Sequence, residues 1–411
     1  MSCNPYSIIF KNICLFALVP VTMLAAFLGC GMYPMLMNQT SAYRLIVVTV
    51  TLLIASTGWA GERLQWSNEA SAGLTTSIEN GVYGNVPSVL ILRDGERLFE
   101  YYREGMDETT THNTRSVTKT ITGMAIGLAI DRGFVKVDEP LAGFFSEIAP
   151  FKNPDSRKLQ ITAEDLLTMS GPLECDDWNQ FSRGNEERMY VVEDWSSFFW
   201  NLPIRGFPAW TLRASSAPYE RSFSYCTAGV QVLGEVVERA SGIPFTDFVE
   251  KYLFAPLSID SFRWSRNGLG QAHMGGGLEL TTRDLAKLAE LQRNNGMVGG
   301  NVILSDKWTK AFVLPRTVIP ESPYEYGYLW WLRSYDIDGE TYQSTMMSGN
   351  GGNRVIAFDE FGVTAVITKT DFNTPGMHVK TDAFIFEEIV ARLKRARRRA
   401  GPHTRTTPTK H

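Results

Sequence analysis

The sequence predicts a fold of the α/β (α+β) class, in which a central antiparallel sheet is built from both ends of the chain and flanked by helices. Residues 88–102 read as a β-hairpin, residues 137–310 are mostly helical with long loops, and strand character returns from residue 327 onwards. We expect the helical middle to cover one face of the sheet and to form a subdomain. A cleft between the two layers is the expected place for a ligand site.

The strands are recognised by their alternation and by the turns between them. In the hairpin, an Asp94-Gly95 turn separates two strand-like runs. The later strands read GYLWWLRSY, TYQSTMM, RVIAFDE and VTAVITKT, with short turns at Asp338-Gly339 and at 360–362. Connections this short make neighbouring strands antiparallel.

The helices are marked by their periodicity and their caps. The segment 114–133 places apolar residues at the spacing of one helical face, and Gly133 stands at a C-cap position. Another helix starts after Thr162, with Asp165 three residues later, and ends in the sequence TMSG. AGVQVLGEVVERASG and TTRDLAKLAELQRNNG also end at a glycine, and a last helix runs over about 380–398.

The chain of 411 residues is divided into an export or anchor region at 1–60, one folded domain at 61–398 and a basic tail at 399–411. The formal net charge is −4, although residues 392–411 hold eight basic residues and no acidic ones. The body is therefore acidic, which argues against a nucleic-acid partner because such a partner needs a basic face. The tail is either a solvated helix end followed by disorder or a contact for anionic lipid or nucleic acid.

Two apolar runs precede the domain. Residues 13–31 follow Lys11, and a shorter run at 45–55 follows Arg44 and leads to small residues that end at Ala60. The second run has the pattern of a secretory signal, with a basic start, a short apolar core and small residues at its end. It is shorter than the roughly 20 residues that cross a bilayer.

Three interpretations of these runs stay open. Translation starts at Met35 or Met37 and a signal peptide is cleaved after Ala60, or the run at 13–31 anchors the chain in a membrane, or Cys30 is a lipoprotein acceptor. All three place the body outside the cytoplasm. They predict a protein that is periplasmic or secreted, or one that is anchored in the inner membrane.

Cys175 and Cys226 are the two cysteines in the body of the chain, since the other three precede residue 61. In an exported protein they either form a disulfide or are two unrelated buried thiols. No CxxC or histidine-rich spacing indicates a set of metal ligands. The sequence therefore predicts no metal and no organic cofactor.

Two common nucleophile patterns are missing from the sequence. No GxSxG occurs, which excludes a nucleophile elbow. The histidines of the body are His112, His273 and His378, and none has a recognisable catalytic context. This argues against a Ser-His-Asp triad.

Ser116 and Lys119 stand three residues apart at the start of the helix in 114–133, and no other lysine of the chain completes an SxxK pattern. A lysine inside an apolar helix loses hydration, which lowers its pKa, and the positive end of the helix dipole acts in the same direction. A neutral amine one turn away can take the serine proton, while the serine N–H at the helix start can bind an oxyanion. The alternative is that Ser116 caps the helix and Lys119 lies on the surface.

Five segments, which follow one another along the chain, resemble the serine β-lactamase-related hydrolases. Within that family, they are most similar to the class C-like, 6-aminohexanoate-dimer-hydrolase-like and family VIII-esterase-like branch. They are SVTKTITGMAIGLAIDRG, ITAEDLLTMSGPL, FSYCTAGVQVLGEVVERASG, HMGGGLELTTRDLAKLAEL and SGNGGNRVIAFDE. The resemblance covers roughly residues 80–395. It implies a β-lactamase/penicillin-binding-protein-like fold, in agreement with the strand pattern, and an acyl-transfer site.

The resemblance assigns roles to individual residues. Ser116 matches the acylated serine and Lys119 its lysine partner. Tyr225 in SYCT matches a tyrosine that relays the proton between nucleophile and leaving group. The strand TMMSGNGGN corresponds to the edge of the family's cleft, and its backbone near Ser348 or Gly349 is expected to supply a second oxyanion donor.

The sequence LECDDWN follows a Ser-Gly turn that the family places beside the active site. Trp178 and Asn179 in this loop, together with Asn350 on the strand edge, are predicted to contact the substrate. For the loop, a solvated acidic turn is the alternative. Because Cys175 lies in the loop and Cys226 adjoins the tyrosine, the resemblance also suggests a disulfide that ties the two together.

Two departures from the family pattern bear on the substrate. Thr227 stands where penicillin-recognising members have asparagine, and Met346-Met347-Ser348 replaces their Lys-Thr-Gly. That lysine and threonine bind the carboxylate of β-lactams and of peptidoglycan stems. Because losing a charged hydrogen bond costs about 1.5–3 kcal/mol, we expect a neutral or apolar substrate and weak or absent β-lactamase activity.

The sequence therefore predicts an exported serine hydrolase that cleaves a small ester or amide through an acyl-enzyme. Its expected partners are this small-molecule substrate and, through the N-terminal apolar runs, a membrane. Two alternatives are a β-lactamase or D,D-peptidase that acts on β-lactams or peptidoglycan, and a catalytically silent binding protein of the cell envelope.

Overall fold

The computed structural model of the protein describes residues 66–206 and 214–400. All of them belong to the second of two compact units, which covers 62–411. The predicted export or anchor region at 1–60, with its three cysteines, lies outside the described residues, and so does the tail from residue 401 onwards. Within the two described ranges, no helix combines the length and apolar character that a bilayer crossing needs.

In these ranges, thirteen strands form three antiparallel sheets. The strands are β1 Ser88–Arg93, β2 Glu96–Tyr102, β3 Thr111–Asn113, β4 Phe262–Trp264, β5 Leu278–Thr281, β6 Met297–Val298, β7 Asn301–Val302, β8 Thr317–Val318, β9 Tyr324–Tyr326, β10 Trp331–Ile337, β11 Glu340–Gly349, β12 Asn353–Phe358 and β13 Val363–Thr368.

The α-helices of the described residues surround these sheets. They are α1 Asn68–Glu79, α2 Val117–Asp131, α3 Ala163–Leu167, α4 Glu186–Met189, α5 Trp195–Trp200, α6 Thr227–Ser241, α7 Phe245–Val249, α8 Thr282–Arg293, α9 Asp306–Phe312, α10 Met377–Phe384 and α11 Ala391–Ala400. A π-helical turn, Ile385–Val390, joins the last two.

The main sheet has eight strands in the order β2-β1-β13-β12-β11-β10-β9-β8. Strand β1 pairs with β13, with Ser88 opposite Thr368, so an early and a late segment lie side by side. The hairpin of β1 and β2 turns at Asp94 and Gly95, which both have positive φ. The predicted antiparallel sheet from both chain ends is confirmed.

Each face of the main sheet carries its own apolar core. Met347 and Val355 point into a large core with α2, α6 and α8, whereas their neighbours Met346 and Ile356 point into a second core. The second core is closed by α1 and by α10 with the π-helical turn after it. The alternation of strand side chains thus produces two covered faces, and the terminal helix covers one of them as predicted.

Helix α2 is buried along nearly its whole length, from Val117 to Ala129. It packs between the sheet and α6. Gly127 permits this packing, because a Cβ atom there would lie 2.6 Å from Cζ of Phe312. A helix that is apolar on all sides is expected in the centre of a large core, and its first turn is thereby held rigidly.

The predicted helical middle also contains strands. Strands β3, β5 and β4 form a small sheet in which His112 of β3 lies opposite Leu280 of β5. The last three residues of the sequence HMGGGLEL belong to β5, and α8 begins only after that strand. Runs of three or four strand residues are too short to show a clear period of two.

Two predicted elements end at other residues than expected. The capping box of Thr162 and Asp165 is formed, but α3 stops at Leu167 because Met169 adopts a left-handed φ of 52°. The strand read as GYLWWLRSY begins only at Trp331, since Leu329 has a φ of 59° and breaks the extended chain. Positive φ at a non-glycine residue leaves no signal in a hydrophobicity pattern.

Candidate active site

A tight turn presents Ser116 at the start of α2. Strand β3 ends at Asn113, whose side-chain oxygen accepts a hydrogen bond from the Arg115 N–H, and Arg115 has a φ of 55°. Ser116 is partly exposed and makes no side-chain hydrogen bond that caps the helix. Lys119 is only 1% exposed. The alternative of a capping serine beside a surface lysine is therefore wrong.

The Lys119 amine lies against the Ser116 hydroxyl. Nζ is 2.9 Å from Oγ of Ser116 and donates a second hydrogen bond, 2.7 Å long, to the carbonyl oxygen of Gly275. Burial lowers the pKa of Lys119, and the negative charges of Glu186 and Asp177 oppose that effect without cancelling it. Loss of hydration favours the neutral amine, which is the form that can accept a proton from a hydroxyl.

Tyr225 approaches the same point from the segment before α6. The Lys119 Nζ lies 5.0 Å from the centroid of the Tyr225 ring. The Ser116 side chain is among the groups that act on the Tyr225 phenol. Burial raises the pKa of the phenol above its usual value, so the phenol keeps its proton and acts as a donor. The structure thus brings the three predicted groups together.

The end of β11 runs past the turn that holds Ser116. A Cβ atom on Gly349 would lie 1.9 Å from the carbonyl oxygen of Thr114 and 3.3 Å from the Ser116 nitrogen. Only glycine permits this approach, because any side chain would collide with the backbone. The backbone around Ser348 and Gly349 therefore lies beside the Ser116 N–H, where the second oxyanion donor is predicted.

Other predicted contact residues use their side chains elsewhere. Asn350 donates from its amide to Oδ1 of Asn373, 2.6 Å away, and accepts from the Asn373 N–H. Asn179 accepts a hydrogen bond from the N–H of Phe181 within its own turn. The Ser348 hydroxyl accepts a hydrogen bond from Arg354 on the neighbouring strand β12. These side chains hold the loops and strands around the site.

Trp178 belongs to an aromatic wall. We define this wall as Trp178, Phe223, Tyr225 and Trp331. The Trp178 ring stacks on the Tyr225 ring with centroids 5.3 Å apart and an interplanar angle of 10°. The ring centroids of Phe223 and Trp331 lie 5.4 Å and 6.3 Å from the Trp178 ring centroid. Because Trp178 is 56% exposed, the wall faces the solvent beside the Ser116 hydroxyl.

A disulfide fixes the loop that carries Trp178. Cys175 and Cys226 are bonded, with Cα atoms 5.2 Å apart, inside the limit of about 7 Å for such a bond. The Asp177 N–H also donates to the Tyr225 carbonyl oxygen over 2.8 Å. The loop is thus attached to the start of α6 at two adjacent points.

The same loop contains a carboxyl group that the sequence left ambiguous. Oδ2 of Asp177 accepts hydrogen bonds of 2.7 Å from both the N–H and the hydroxyl of Thr227. Oε2 of Glu186, on α4, lies 3.0 Å from the oxygen of the same hydroxyl. A solvated acidic turn is therefore the wrong interpretation for Asp177. Glu186 was missed because nothing in its local sequence distinguishes it from a surface residue.

Desolvation and the neighbouring charge of Glu186 raise the pKa of Asp177 to about 7. In the part of the chain that the structure describes, no cluster of three or more His, Cys, Asp or Glu residues could hold a metal ion.

Residues 79–388 match the protein family described as Beta-lactamase. The chain belongs to this family. The 6-aminohexanoate-dimer hydrolase of Paenarthrobacter ureafaciens is 29% identical to it over 231 residues. That match covers 54% of this chain and 55% of the hydrolase, so the chain spans about half the length of this curated relative.

Solved structures show the same fold. A family VIII carboxylesterase superposes with a TM-score of 0.57 at 15% identity, over 80% of this chain and 96% of the other. A class C beta-lactamase from Rhodobacter sphaeroides superposes with a TM-score of 0.55 at 16% identity, over 79% of this chain and 100% of the other. The predicted β-lactamase/penicillin-binding-protein-like fold and family resemblance are confirmed.

We expect the Cys175–Cys226 disulfide to stabilise the domain, because it closes a loop across a sequence separation of 51 residues. Replacing both cysteines by serine should lower the free energy of unfolding by about 2–4 kcal/mol. Urea denaturation of the oxidised wild type and of the double variant measures this difference. A reductant should destabilise the wild type and leave the variant unchanged; equal stabilities would contradict the prediction.

Proposed function

We propose that the protein is an exported serine hydrolase that cleaves a small ester or amide through an acyl-enzyme on Ser116. The observation that carries this proposal is the 2.9 Å contact between the buried amine of Lys119 and the Ser116 hydroxyl. A base of lowered pKa in contact with a hydroxyl is the arrangement that activates a serine nucleophile. The disulfide beside the site is consistent with an oxidising compartment.

In the acylation step, neutral Lys119 takes the proton of Ser116 while Oγ attacks the substrate carbonyl carbon. The oxyanion that forms is bound by the Ser116 N–H and a backbone N–H near Gly349. The Tyr225 phenol gives its proton to the leaving oxygen or nitrogen, the bond to that atom breaks, and the proton held by Lys119 restores the phenol. Water then attacks the ester on Ser116 through the same groups in reverse.

Lys119, rather than Tyr225, is the base in this scheme. Burial moves the pKa of the lysine down and that of the phenol up, because it disfavours the charged form of each. The same environment therefore favours a neutral amine that accepts a proton and a neutral phenol that donates one.

The groups around the site favour a neutral or apolar substrate. Met346 and Met347 are buried at the position of the family's Lys-Thr-Gly. Arg354 reaches Ser348, but it is only 4% exposed and also contacts His378, so it offers no free charge to a bound carboxylate. The aromatic wall includes Tyr225 and thus lies beside the leaving group. Relatives named as a dimer hydrolase and a carboxylesterase support amide or ester substrates.

A fluorophosphonate probe tests the nucleophile. The wild type should be labelled on Ser116 and should hydrolyse p-nitrophenyl esters, whereas Ser116→Ala should lose both activities because it lacks the hydroxyl that forms the acyl-enzyme. Ser146→Ala replaces an exposed serine that is not one of the site residues. It serves as the control and should behave as the wild type. Labelling measured by mass spectrometry together with initial ester rates checks the result.

Undiminished labelling of Ser116→Ala would contradict the proposed nucleophile. Nitrocefin in the same assay separates the alternatives. We expect slow or no turnover of this β-lactam; turnover that matches the esters would favour the β-lactamase. A wild type that is neither labelled nor active would favour a silent binding protein.

Trp178 should set a preference for aromatic leaving groups. An aromatic pair contributes about 0.5–1.5 kcal/mol beyond area burial, so Trp178→Ala should lower the ratio of kcat/KM for phenyl acetate over ethyl acetate by about 2–10-fold. Trp178→Phe keeps a ring and should preserve most of the ratio. Steady-state kinetics of both substrates measure it, and an equal loss for both esters would rule out a specific contact.

A further inference from the structure

Two carboxyl groups meet at one hydroxyl behind the Ser116–Lys119 pair. Oγ1 of Thr227 lies 2.7 Å from Oδ2 of Asp177 and 3.0 Å from Oε2 of Glu186. A threonine hydroxyl has a single hydrogen and can donate to only one of them. The second contact is a hydrogen bond only if a carboxyl group itself carries a proton and donates it to Oγ1.

The remaining contacts hold these oxygens in place. Asp177 accepts from the Thr227 N–H through Oδ2 and from the Glu186 N–H, 2.9 Å away, through Oδ1. Glu186 accepts from the Tyr190 hydroxyl over 3.0 Å. These donors fit a pair that carries one negative charge and one proton. Because the two groups are coupled, the proton belongs to the pair rather than to either residue.

Lys119 is affected by the charges of both carboxyl groups. The charge of Glu186 and then that of Asp177 raise the pKa of the amine, against the larger effect of burial. Conversely, Lys119 lowers the pKa of Asp177. The carboxyl pair and the amine therefore form one electrostatic unit, although neither carboxyl group touches the Ser116 hydroxyl.

We propose that Asp177 and Glu186 share one proton through the Thr227 hydroxyl, and that the charge of this carboxyl pair sets the protonation state of Lys119. The pair is a positioning element for the base and not a catalytic group. This inference rests on the proposed function, since it concerns the base of the Ser116 acyl-enzyme.

The number of charges on the pair decides whether the base works. Two negative charges would hold Lys119 as an ammonium ion, which cannot accept the Ser116 proton. With no charge, burial alone would lower the pKa of the amine further and weaken it as a base. One shared proton leaves a single charge and an intermediate basicity, which general-base catalysis near neutral pH requires. Thr227, at the family's asparagine position, makes the sharing possible.

Other ionisable groups lie near this unit. The His273 ring packs between Tyr190 and Trp195, and burial lowers its pKa to about 3, so it stays neutral in the working range. Charged groups that also act on this part of the site are Arg115, Glu187 and Arg354.

The test is the pH dependence of fluorophosphonate labelling of Ser116, which requires no knowledge of the substrate. In the double variant Asp177→Asn/Glu186→Gln, the single negative charge of the carboxyl pair, which raises the pKa of Lys119, is lost. The acid limb of the labelling rate should therefore shift to lower pH by about one unit, the lower end of the effect of a nearby opposite charge. Glu235→Gln is the matched control, a buried carboxyl on α6 that hydrogen-bonds Ser196, and its limb should not move.

Glu186→Gln alone provides a second variant if the double variant does not fold. Asp177 then carries the single negative charge that the pair carries in the wild type, so the acid limb should stay in place. An unmoved limb in the double variant, or a limb that moves by about one unit in Glu186→Gln alone, would overturn the inference alone, provided that Ser116 is labelled. A wild type without labelling at any pH would overturn the proposed function and the inference with it.

Discussion

The arrangement depends on an amine held out of water at the first turn of a buried helix. Lys119 is 1% exposed, and its Nζ is fixed between the Ser116 hydroxyl and the Gly275 carbonyl oxygen. Burying a charged ammonium is costly, so the site favours the neutral form. Helix α2 keeps this turn rigid because the sheet, α6 and α8 enclose it. Burial in the apolar core thus favours the neutral form of the amine at the edge of that core.

Three segments from distant parts of the chain complete the site around that amine. The β11 edge reaches the Ser116 turn because Gly349 has no side chain. Tyr225 arrives at the start of α6, and the disulfide with the contacts of Asp177 holds the preceding loop against it. The same loop supplies Trp178 to the aromatic wall. Rigid support of this kind is what places reacting groups within hydrogen-bonding distance before a substrate binds.

Much of this could be predicted from sequence, where a local pattern had a single physical meaning. The β1–β2 hairpin follows from its Asp-Gly turn, and Ser116, Lys119 and Tyr225 follow from ordered motifs. Glu186 could not be found, because its role arises only when the fold brings it to Thr227. The contact of Gly349 with Thr114 likewise exists only between segments far apart in sequence. The side chains of Asn179 and Asn350 were expected at the substrate. Instead, they form hydrogen bonds with Phe181 and with Asn373.

The most direct measurement is the pKa of Lys119 itself, followed by NMR of protein with 13C-labelled lysine side chains. The Lys119 signal is identified by its absence from Lys119→Met. The account predicts a pKa well below the ordinary lysine value of about 10.4, with the other, exposed lysines as internal references. A Lys119 pKa at or above that value would mean that the amine is charged throughout the working range, and it would contradict the proposed base.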